Sequence, residues 1–397
     1  MMKTRTKLIL PLMLLCIAVF ALALTASAET KTGKCGDNLT YTLDTDTGTL
    51  TISGTGAMTN WNYSSRAPWD GDRSSIRTVV IADGVTSIGD YAFCSYSNLA
   101  SVDIPESVTS IGLRAFGWCD EIVSISIPSG LTEIKDWSFY GCKKLENVVI
   151  PSNVTKIGAY AFGACSSIVS ISIPEKVVDI GFQAFYICSS LTSITIPKNV
   201  KSIGNEAFTW CENLTSIHVD VNNQNYTSVN GILFDKSMTT LIQAPSLLSD
   251  TAYTVPDGVT RIGKYAFGSC WDIRSITIPA SVAEIGNFAF VNTNIENVYI
   301  SDLAAWCAID FQGEHTSPVH YGWSKTRALY LNDTQLVQVE IPADITKISS
   351  MALSGFRGIT QITVSPDNSN YMSMDGALLS KDKTVLLTVP ASMTGSY

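Results

Sequence analysis

LTSITIPKNVKSIGNEAF (residues 191–208) is one copy of a pattern that repeats every 23 residues and decides the fold of this chain. Proline keeps that step from Pro105 to Pro197, and phenylalanine keeps it from Phe93 to Phe208. A fixed period of this length indicates stacked structural units, each of which buries its apolar face only against its neighbours. The sequence therefore predicts a repeat solenoid, mostly β with short helical turns, whose length counts rungs rather than independent domains.

Each rung combines a strand pattern with a turn. The apolar positions of the copy at 191–208, with the cysteine that follows it, are Leu191, Ile194, Ile196, Val200, Ile203, Ala207, Phe208 and Cys211. Pro197 ends the first strand because it lacks a backbone donor, Gly204 marks a turn, and Phe208 falls in a short helical turn. The chain runs through the strand of every rung in the same direction, so we expect parallel strands. Like residues of neighbouring strands should then stack about 4.8 Å apart. The phenylalanines should form a continuous buried column.

Three stretches carry a family resemblance: IPESVTSIGLRAFGWC (104–119), IPSNVTKIGAYAFGAC (150–165) and VPDGVTRIGKYAFGSC (255–270). They resemble the BspA-like leucine-rich repeats of bacterial surface proteins. The opening CGDNLTYTLDTDTGTLTISGTGAM (35–58) resembles the segment that often precedes those repeats. The resemblance implies a leucine-rich repeat superhelix with a parallel β-sheet on one face, used for adhesion or recognition. It implies no catalytic residues.

The 23-residue repeat and the stretches that interrupt it divide the chain into segments. In order, these are a signal peptide (1–28), an N-terminal β-hairpin cap (29–81), six 23-residue rungs (82–219), an irregular β insert (220–255), two rungs (256–300), an irregular excursion from the stack (301–341), and a degenerate rung with a second copy of the insert (342–397). The insert reads NYTSVNGILFDKSMTTLIQAP at 225–245, and NYMSMDGALLSKDKTVLLTVP follows the same plan 145 residues later. Because the second copy stops near Tyr397, the chain either ends abruptly there or is the front part of a longer protein, and we expect the latter.

Residues 1–28 have the form of an export signal. A positive start with Lys3, Arg5 and Lys7 precedes an apolar stretch and the small-residue cleavage site Ala26-Ser27-Ala28. Removal of this segment changes the formal net charge from −9 to −12. The predicted location is therefore extracellular or at the cell surface, with no membrane insertion after cleavage. An acidic surface argues against nucleic acid as a partner, and we expect a monomer.

Five cysteines also follow the 23-residue step, from Cys119 to Cys211, and Cys270 holds the same position in its rung. Neighbours in such a ladder would fall within disulfide range, but their parallel Cβ vectors fit the bridging dihedral poorly. Free cysteine is also among the most buried residue types. The pattern favours a ladder of buried thiols, with zipped disulfides as the alternative.

No set of residues predicts an enzyme, a metal site or a cofactor site. The cysteines have no obvious histidine or cationic neighbour that would activate a thiolate. His315 and His320 lie near Cys307 and Asp310, but their spacing matches no compact zinc pattern. A surface loop is the simpler interpretation of that segment.

The outward strand positions carry small polar residues. The candidate binding surface comprises Ser101, Asp103, Ser124, Ser126, Ser170, Ser193, Thr195, Ser216, His218 and Thr277, together with Trp118 and Trp210, which share one position before the cysteine. Exposed aromatic residues are common anchors in recognition surfaces. The alternative is that the polar residues only cover a hydrated sheet and that the tryptophans pack.

Three functions compete at this point. The first is a secreted or surface-attached recognition protein that binds an extracellular protein or polysaccharide. The second is a spacer that presents a further module beyond residue 397. The third, more remote, is a polysaccharide-acting enzyme of the parallel β-helix kind. Such an enzyme needs charged side chains that converge on one face, whereas this ladder is mostly serine and threonine.

Overall fold

The computed structural model describes residues 30–313, 316–319, 327–391 and 393. The predicted signal peptide, His315 and His320 lie outside them. Each rung of the solenoid has three sides, which we call the strand face, the second ladder and the turn side. The strands of the strand face are Thr78–Ile81, Ser101–Asp103, Ser124–Ile125, Asn147–Val148, Ser193–Ile196, Ser216–Val219, Ala252–Thr254, Ser275–Ile278, Asn297–Ile300, Ala328–Leu331, Gln338–Ile341 and Gln361–Val364. Neighbouring strands within each block pair in parallel, and like residues meet: Ser193 faces Ser216 and Ile194 faces Ile217.

The second ladder is built from two- to four-residue strands on the next side of each rung. Its members are Gly56–Ala57, Val85–Ile88, Ser110–Ile111, Glu133–Ile134, Lys156–Ile157, Asp179–Ile180, Ser202–Ile203, Arg261–Ile262, Glu284–Ile285 and Asp310–Phe311. The register again places isoleucine on isoleucine, as in Ile134, Ile157, Ile180 and Ile203. The prediction of a parallel leucine-rich repeat solenoid is therefore confirmed.

The turn side is held by backbone hydrogen bonds that alternate between the turn itself and the next rung. The Tyr160 and Phe162 amides donate to Phe182 and Ala184 of the following rung, both at 2.9 Å. The intervening Ala161 amide donates back to the Gly158 carbonyl of its own turn. Tyr160 has a φ of 57°, so the i→i+3 turns do not continue into a helix. Every second amide of the turn side is thus directed toward the neighbouring rung.

Close packing favours the glycine that opens most of the turns, although Lys135 holds the same position in its own rung. An added Cβ on Gly181 would lie only 2.5 Å from the Ala159 backbone nitrogen of the preceding rung. At Gly181 a side chain would therefore require the backbone of the two rungs to shift apart.

The phenylalanine column forms the centre of the core. From Phe93 to Phe208, ring centroids of successive rungs lie 5.4–5.8 Å apart with planes within 16° of parallel. All six rings are at most 1% exposed. Phe267 and Phe290 continue the arrangement after the insert, with centroids 5.3 Å apart. Since the rung spacing sets the ring spacing, the column and the strands stabilise the same register.

Three strands precede the first rung. Thr30–Lys34, Leu39–Asp44 and Thr49–Gly54 pair antiparallel, and the last of them pairs in parallel with Thr78–Ile81. A short 3-10 helix, Asp70–Asp72, follows, preceded by Trp69. Trp69 stacks on Phe93 at 5.8 Å, and its Nε1 donates to the Ala92 carbonyl. This segment therefore covers the first rung and supplies the first ring of the column.

The two inserts are built in the same way. The first contains Tyr226–Val229, Ile232–Asp235 and Thr240–Gln243, and the second contains Tyr371–Met374, Ala377–Ser380 and Leu386–Thr388. The strands of each insert pair antiparallel. Asn223 Nδ2 donates to the carbonyls of Pro197 and Val200, and Asn368, 145 residues later, donates to those of Pro342 and Ile345. The same contacts recur with the same offset of 145 residues, which supports an internal duplication.

Residues 301–341 were expected to leave the stack, and for the described residues this expectation is wrong. Asp310–Phe311 pairs in parallel with Glu284–Ile285, and Ala328–Leu331 pairs with Asn297–Ile300, so both ladders continue. The helix Leu303–Ala308 replaces a loop between the two sides, and its buried Trp306 enters the core. The short strand Thr334–Gln335 folds back on Ala328–Leu331. The period is lost because a helix occupies the rung, although the rung remains stacked.

The cysteine ladder consists of buried free thiols. Nine cysteines of the described residues are free and buried. From Cys119 to Cys211, each Sγ donates to a phenylalanine carbonyl of the preceding rung, at 3.1–3.2 Å. Burial raises the pKa of Cys142 and of Cys211 from 9.0 to about 12. The thiols are therefore neutral hydrogen-bond donors between rungs.

Replacement of one column residue should destabilise the whole stack. We expect Phe139→Ala to lower the free energy of unfolding by about 3–5 kcal/mol, because it opens a cavity between two flanking rings. Phe182→Ala, the same change at a ring that is 39% exposed, is the matched control and should cost much less. Chemical denaturation followed by circular dichroism measures both, and equal losses would contradict the column's role.

The thiols should be inaccessible in the native protein. A thiol reagent at pH 8 should label them slowly in buffer and completely in denaturant. Because unfolded thiols ionise near pH 9 and the buried ones only near pH 12, ionisation lowers the free energy of the unfolded state relative to the native state as pH rises through this window. Stability should accordingly fall between about pH 9 and pH 12, and labelling of the native protein at the denatured rate would refute the buried ladder.

Candidate recognition surfaces

The strand face presents the predicted polar residues to solvent. Ser101, Asp103, Ser124, Ser126, Ser170, Thr195 and His218 are exposed, and Ser193, Ser216 and Thr277 are half-buried. Thr195 lies beside His218 in register, and Ser216 Oγ lies 2.9 Å from His218 Nε2. The structure therefore places these ten residues on one continuous side of the solenoid.

Two of the concavities formed by the described residues lie on the strand face. The first, of about 510 Å³, is lined by Ser124, Ser126, Asn147 and Val149, with Glu106 at its edge. Val149 is 79% exposed, so it offers an apolar contact within a polar surround. The Glu106 carboxylate accepts hydrogen bonds from the Ser129 amide and hydroxyl, which lower its pKa. This concavity combines one apolar contact, several hydroxyls and one negative charge.

The second concavity, of about 500 Å³, lies several rungs later and is lined by Thr277, Tyr299, Ser301, Asn332 and Asp333. The Tyr299 ring stacks on Tyr330 of the next rung at 4.6 Å. Flat aromatic faces next to hydroxyl and amide groups suit ligands that have both apolar and polar faces.

Trp118 and Trp210 do not lie on the strand face. Both have left-handed backbone conformations on the turn side, with φ of 59° and 64°. Trp118 contacts Trp137 and Tyr140, whereas Trp210 stacks on Tyr186 at 5.4 Å. The two tryptophans are four rungs apart, and no ring contact described here joins them.

Around Trp118 the structure brings together residues that the sequence analysis did not select. We call this group the aromatic strip. Its members are Tyr63, Tyr91, Arg114, Trp118, Trp137, Tyr140, Tyr160 and Phe182. Their sequence signal was the 23-residue step itself, since Tyr91, Arg114, Trp137 and Tyr160 hold one position in successive rungs.

The rings of the aromatic strip are closely packed. The Trp137 ring stacks on the Tyr160 ring with 3.9 Å between centroids, and its centroid lies 4.6 Å from that of the Tyr140 ring. Trp118 packs above Gly141 of the next rung, where an added Cβ would lie 3.1 Å from Trp118 Cδ1. The left-handed backbone at such positions costs a non-glycine residue roughly 1–2 kcal/mol, so glycine or asparagine would be the simpler choice.

Arg114 is the cation at the centre of the aromatic strip. Its guanidinium lies 4.5 Å from the Trp137 ring centroid and 5.5–5.8 Å from those of Tyr63, Tyr91 and Trp118. Nη1 donates to the Tyr63 hydroxyl at 2.6 Å. Within the described part of the chain it forms no ion pair with a carboxylate.

A buried polar group lies where the first insert interrupts the turn side. Gln183 Nε2 donates to Glu206 Oε2, and Lys264 Nζ lies 2.8 Å from Glu206 Oε1. This pair joins the rung before the insert to the rung after it, and a cavity of about 210 Å³ lies beside it. The Glu206–Lys264 ion pair therefore links the two rungs across the insert, and each of the two charged groups has a partner of opposite sign.

Two further observations concern the described residues as a whole. No group of three or more His, Cys, Asp or Glu side chains among them could hold a metal ion. None of their helices has the length and apolarity needed to cross a bilayer.

Comparisons with known proteins agree with this architecture. A leucine-rich cell surface protein from Faecalibacterium prausnitzii is 26% identical, with 86% of this chain and 96% of that chain covered and a TM-score of 0.60. A leucine-rich repeat protein from Eubacterium ventriosum is 25% identical, with 85% and 86% covered and a TM-score of 0.54. A leucine-rich repeat protein from Bacteroides ovatus, 21% identical over 84% and 89% of the chains with a TM-score of 0.52, shares the fold. No curated protein gives a significant match.

The repeats themselves match a family model. The BspA type leucine rich repeat region matches in six copies, over residues 72–191, 132–252, 248–306 and 326–391. These ranges span well over half of the chain and include both inserts. The chain therefore belongs to the BspA-type leucine-rich repeat family.

Proposed function

We propose that this chain is an extracellular recognition protein, secreted or held at the cell surface, that binds a protein or polysaccharide through its strand face. The observation that carries the proposal is the pair of concavities on that face, lined by outward residues of adjacent rungs. The similar protein from Faecalibacterium prausnitzii is described as a cell surface protein, which supports the location. The proposed role is non-enzymatic.

The chemistry of the strand face favours an extended, weakly charged ligand. Hydroxyl groups both donate and accept hydrogen bonds, and the parallel register repeats them about every 4.8 Å along the solenoid axis. Val149 and the Tyr299–Tyr330 pair add apolar contacts at separate points. A ligand that runs along the axis would meet the same donors and acceptors in successive rungs, so affinity would come from many small contacts.

Binding can be tested by probing arrays of glycans and matrix proteins with residues 29–397. We expect retained ligands, and we expect the double variant Ser124→Tyr/Ser126→Tyr to weaken their binding at least about tenfold, because the new rings fill the first concavity. Thr132→Tyr, an exposed change on the second ladder of the same rung, is the control. If no ligand is retained, the spacer function is favoured instead, and equal effects of both variants would argue against the strand face.

Export can be tested separately. When the full gene product is expressed in a bacterial host, the protein recovered outside the cytoplasm should begin at Glu29, because cleavage after Ala28 removes the signal. Intact mass spectrometry measures this. Recovery of the uncleaved chain in the cytoplasm alone would contradict the proposed location.

A further inference from the structure

We propose that the aromatic strip is a second binding site, for a glycan that carries a carboxylated sugar. The Arg114 guanidinium would pair with the carboxylate, and the neighbouring rings would pack against the sugar faces. The site lies on the turn side, so the inference is independent of the strand face.

The first argument is the incomplete pairing of Arg114. A guanidinium has five N–H donors in a planar fork. In Arg114, Nη1 donates one hydrogen bond to the Tyr63 hydroxyl. Nε is covered by the surrounding residues and has no acceptor. The outer Nη groups therefore retain donors, and a carboxylate is the ligand whose two oxygens match such a fork.

The second argument is that the fold does not need these rings. The interior of the turn side is already filled by the phenylalanine column, whose members are fully buried. Tyr91, Arg114, Trp137 and Tyr160 instead occupy left-handed positions, with φ of 55–59°, on the outer surface. Large side chains are thus placed where the backbone favours small ones, and part of their area stays open: Tyr63 is 51% exposed and Phe182 is 39% exposed.

The shape of the aromatic strip favours a glycan over a peptide. From Tyr91 to the rung of Phe182 it covers four rung steps, or about 19 Å along the axis. Trp118 with Trp137, and Trp137 with Tyr160, stack with ring planes within 24° of parallel, so this surface offers flat ring faces. The C–H faces of sugar rings pack on such flat aromatic surfaces, whereas a peptide that binds by strand addition needs an open sheet edge and pockets for alternate side chains.

The net charge of the protein limits the ligand to few carboxylates. With a formal charge of −9 for the whole chain, a highly charged polyanion would be repelled at long range. A short oligosaccharide with one carboxylate gains the Arg114 contact without that cost. The predicted ligand is therefore singly acidic rather than a polyanion.

The test uses residues 29–397 and two matched probes, 3′-sialyllactose and lactose, which differ by the acidic sugar. Isothermal titration calorimetry and tryptophan fluorescence should show binding of sialyllactose and at least about tenfold weaker binding of lactose. Arg114→Gln, which removes the charge and keeps most of the side-chain length, should reduce the sialyllactose affinity by at least about tenfold. Arg274→Gln, the same change several rungs away, should leave it unchanged.

A second pair of variants tests the rings. Tyr63→Ala removes an exposed ring and the hydrogen bond to Arg114, and it should weaken sialyllactose binding even if Arg114→Gln fails to fold. Trp271→Ala, at a tryptophan that is 43% exposed and outside the aromatic strip, is the control. The strand-face double variant should still bind sialyllactose, which separates failure of this site from failure of the proposed function.

Three results would overturn the inference. Equal affinity for lactose and sialyllactose would show that Arg114 does not bind the carboxylate of the acidic sugar. Equal affinity for a triglutamate peptide would show that charge alone, or a peptide, is recognised. Absence of sialyllactose binding, with the protein folded by circular dichroism, would leave the aromatic strip as packing.

Discussion

The register of one rung upon the next is the constraint on which the rest of the structure depends. Backbone hydrogen bonds maintain it on three sides, through the strand face, the second ladder and the alternating amides of the turn side. The 23-residue period keeps chemically identical side chains in line, so from Phe93 to Phe208 each phenylalanine meets another, and from Cys119 to Cys211 each thiol meets a carbonyl. The same closeness excludes a side chain at the corner glycine, as at Gly181.

The inserts show how far this register can be disturbed. The first insert separates the buried residues into two clusters, one that ends at Leu233 and one that begins at Ile232. Its strand Thr240–Gln243 nevertheless pairs in parallel with Arg261–Ile262 and restores the second ladder. Asn223 satisfies carbonyls of the preceding rung, and the Glu206–Lys264 pair spans the gap on the turn side. Polar contacts thus replace the missing stacked residues, and the duplicated insert uses the same asparagine.

Because the inward positions are committed to the stack, recognition depends on the outward ones. On the strand face these are short hydroxyl side chains with an occasional apolar residue such as Val149. On the turn side they are rings around one arginine. The two surfaces differ in chemistry although they belong to the same rungs, and this difference is the reason for proposing a separate ligand for each.

The sequence by itself determined the solenoid, the parallel strands, the phenylalanine column, the buried thiols and the outward direction of residues such as Ser126 and Thr195. A strict period is sufficient for these, because it states which positions stack and which alternate. It did not determine that the described residues of 301–341 stay in the stack, since a helix there hides the period while Asp310–Phe311 and Ala328–Leu331 keep their pairing. Nor did it separate Trp118 from the strand face or gather it with Arg114 and Trp137. A repeat defines inside and outside, but the side of the rung that a residue occupies depends on where left-handed backbone and corner glycines bend the chain, and only the tertiary structure decided that.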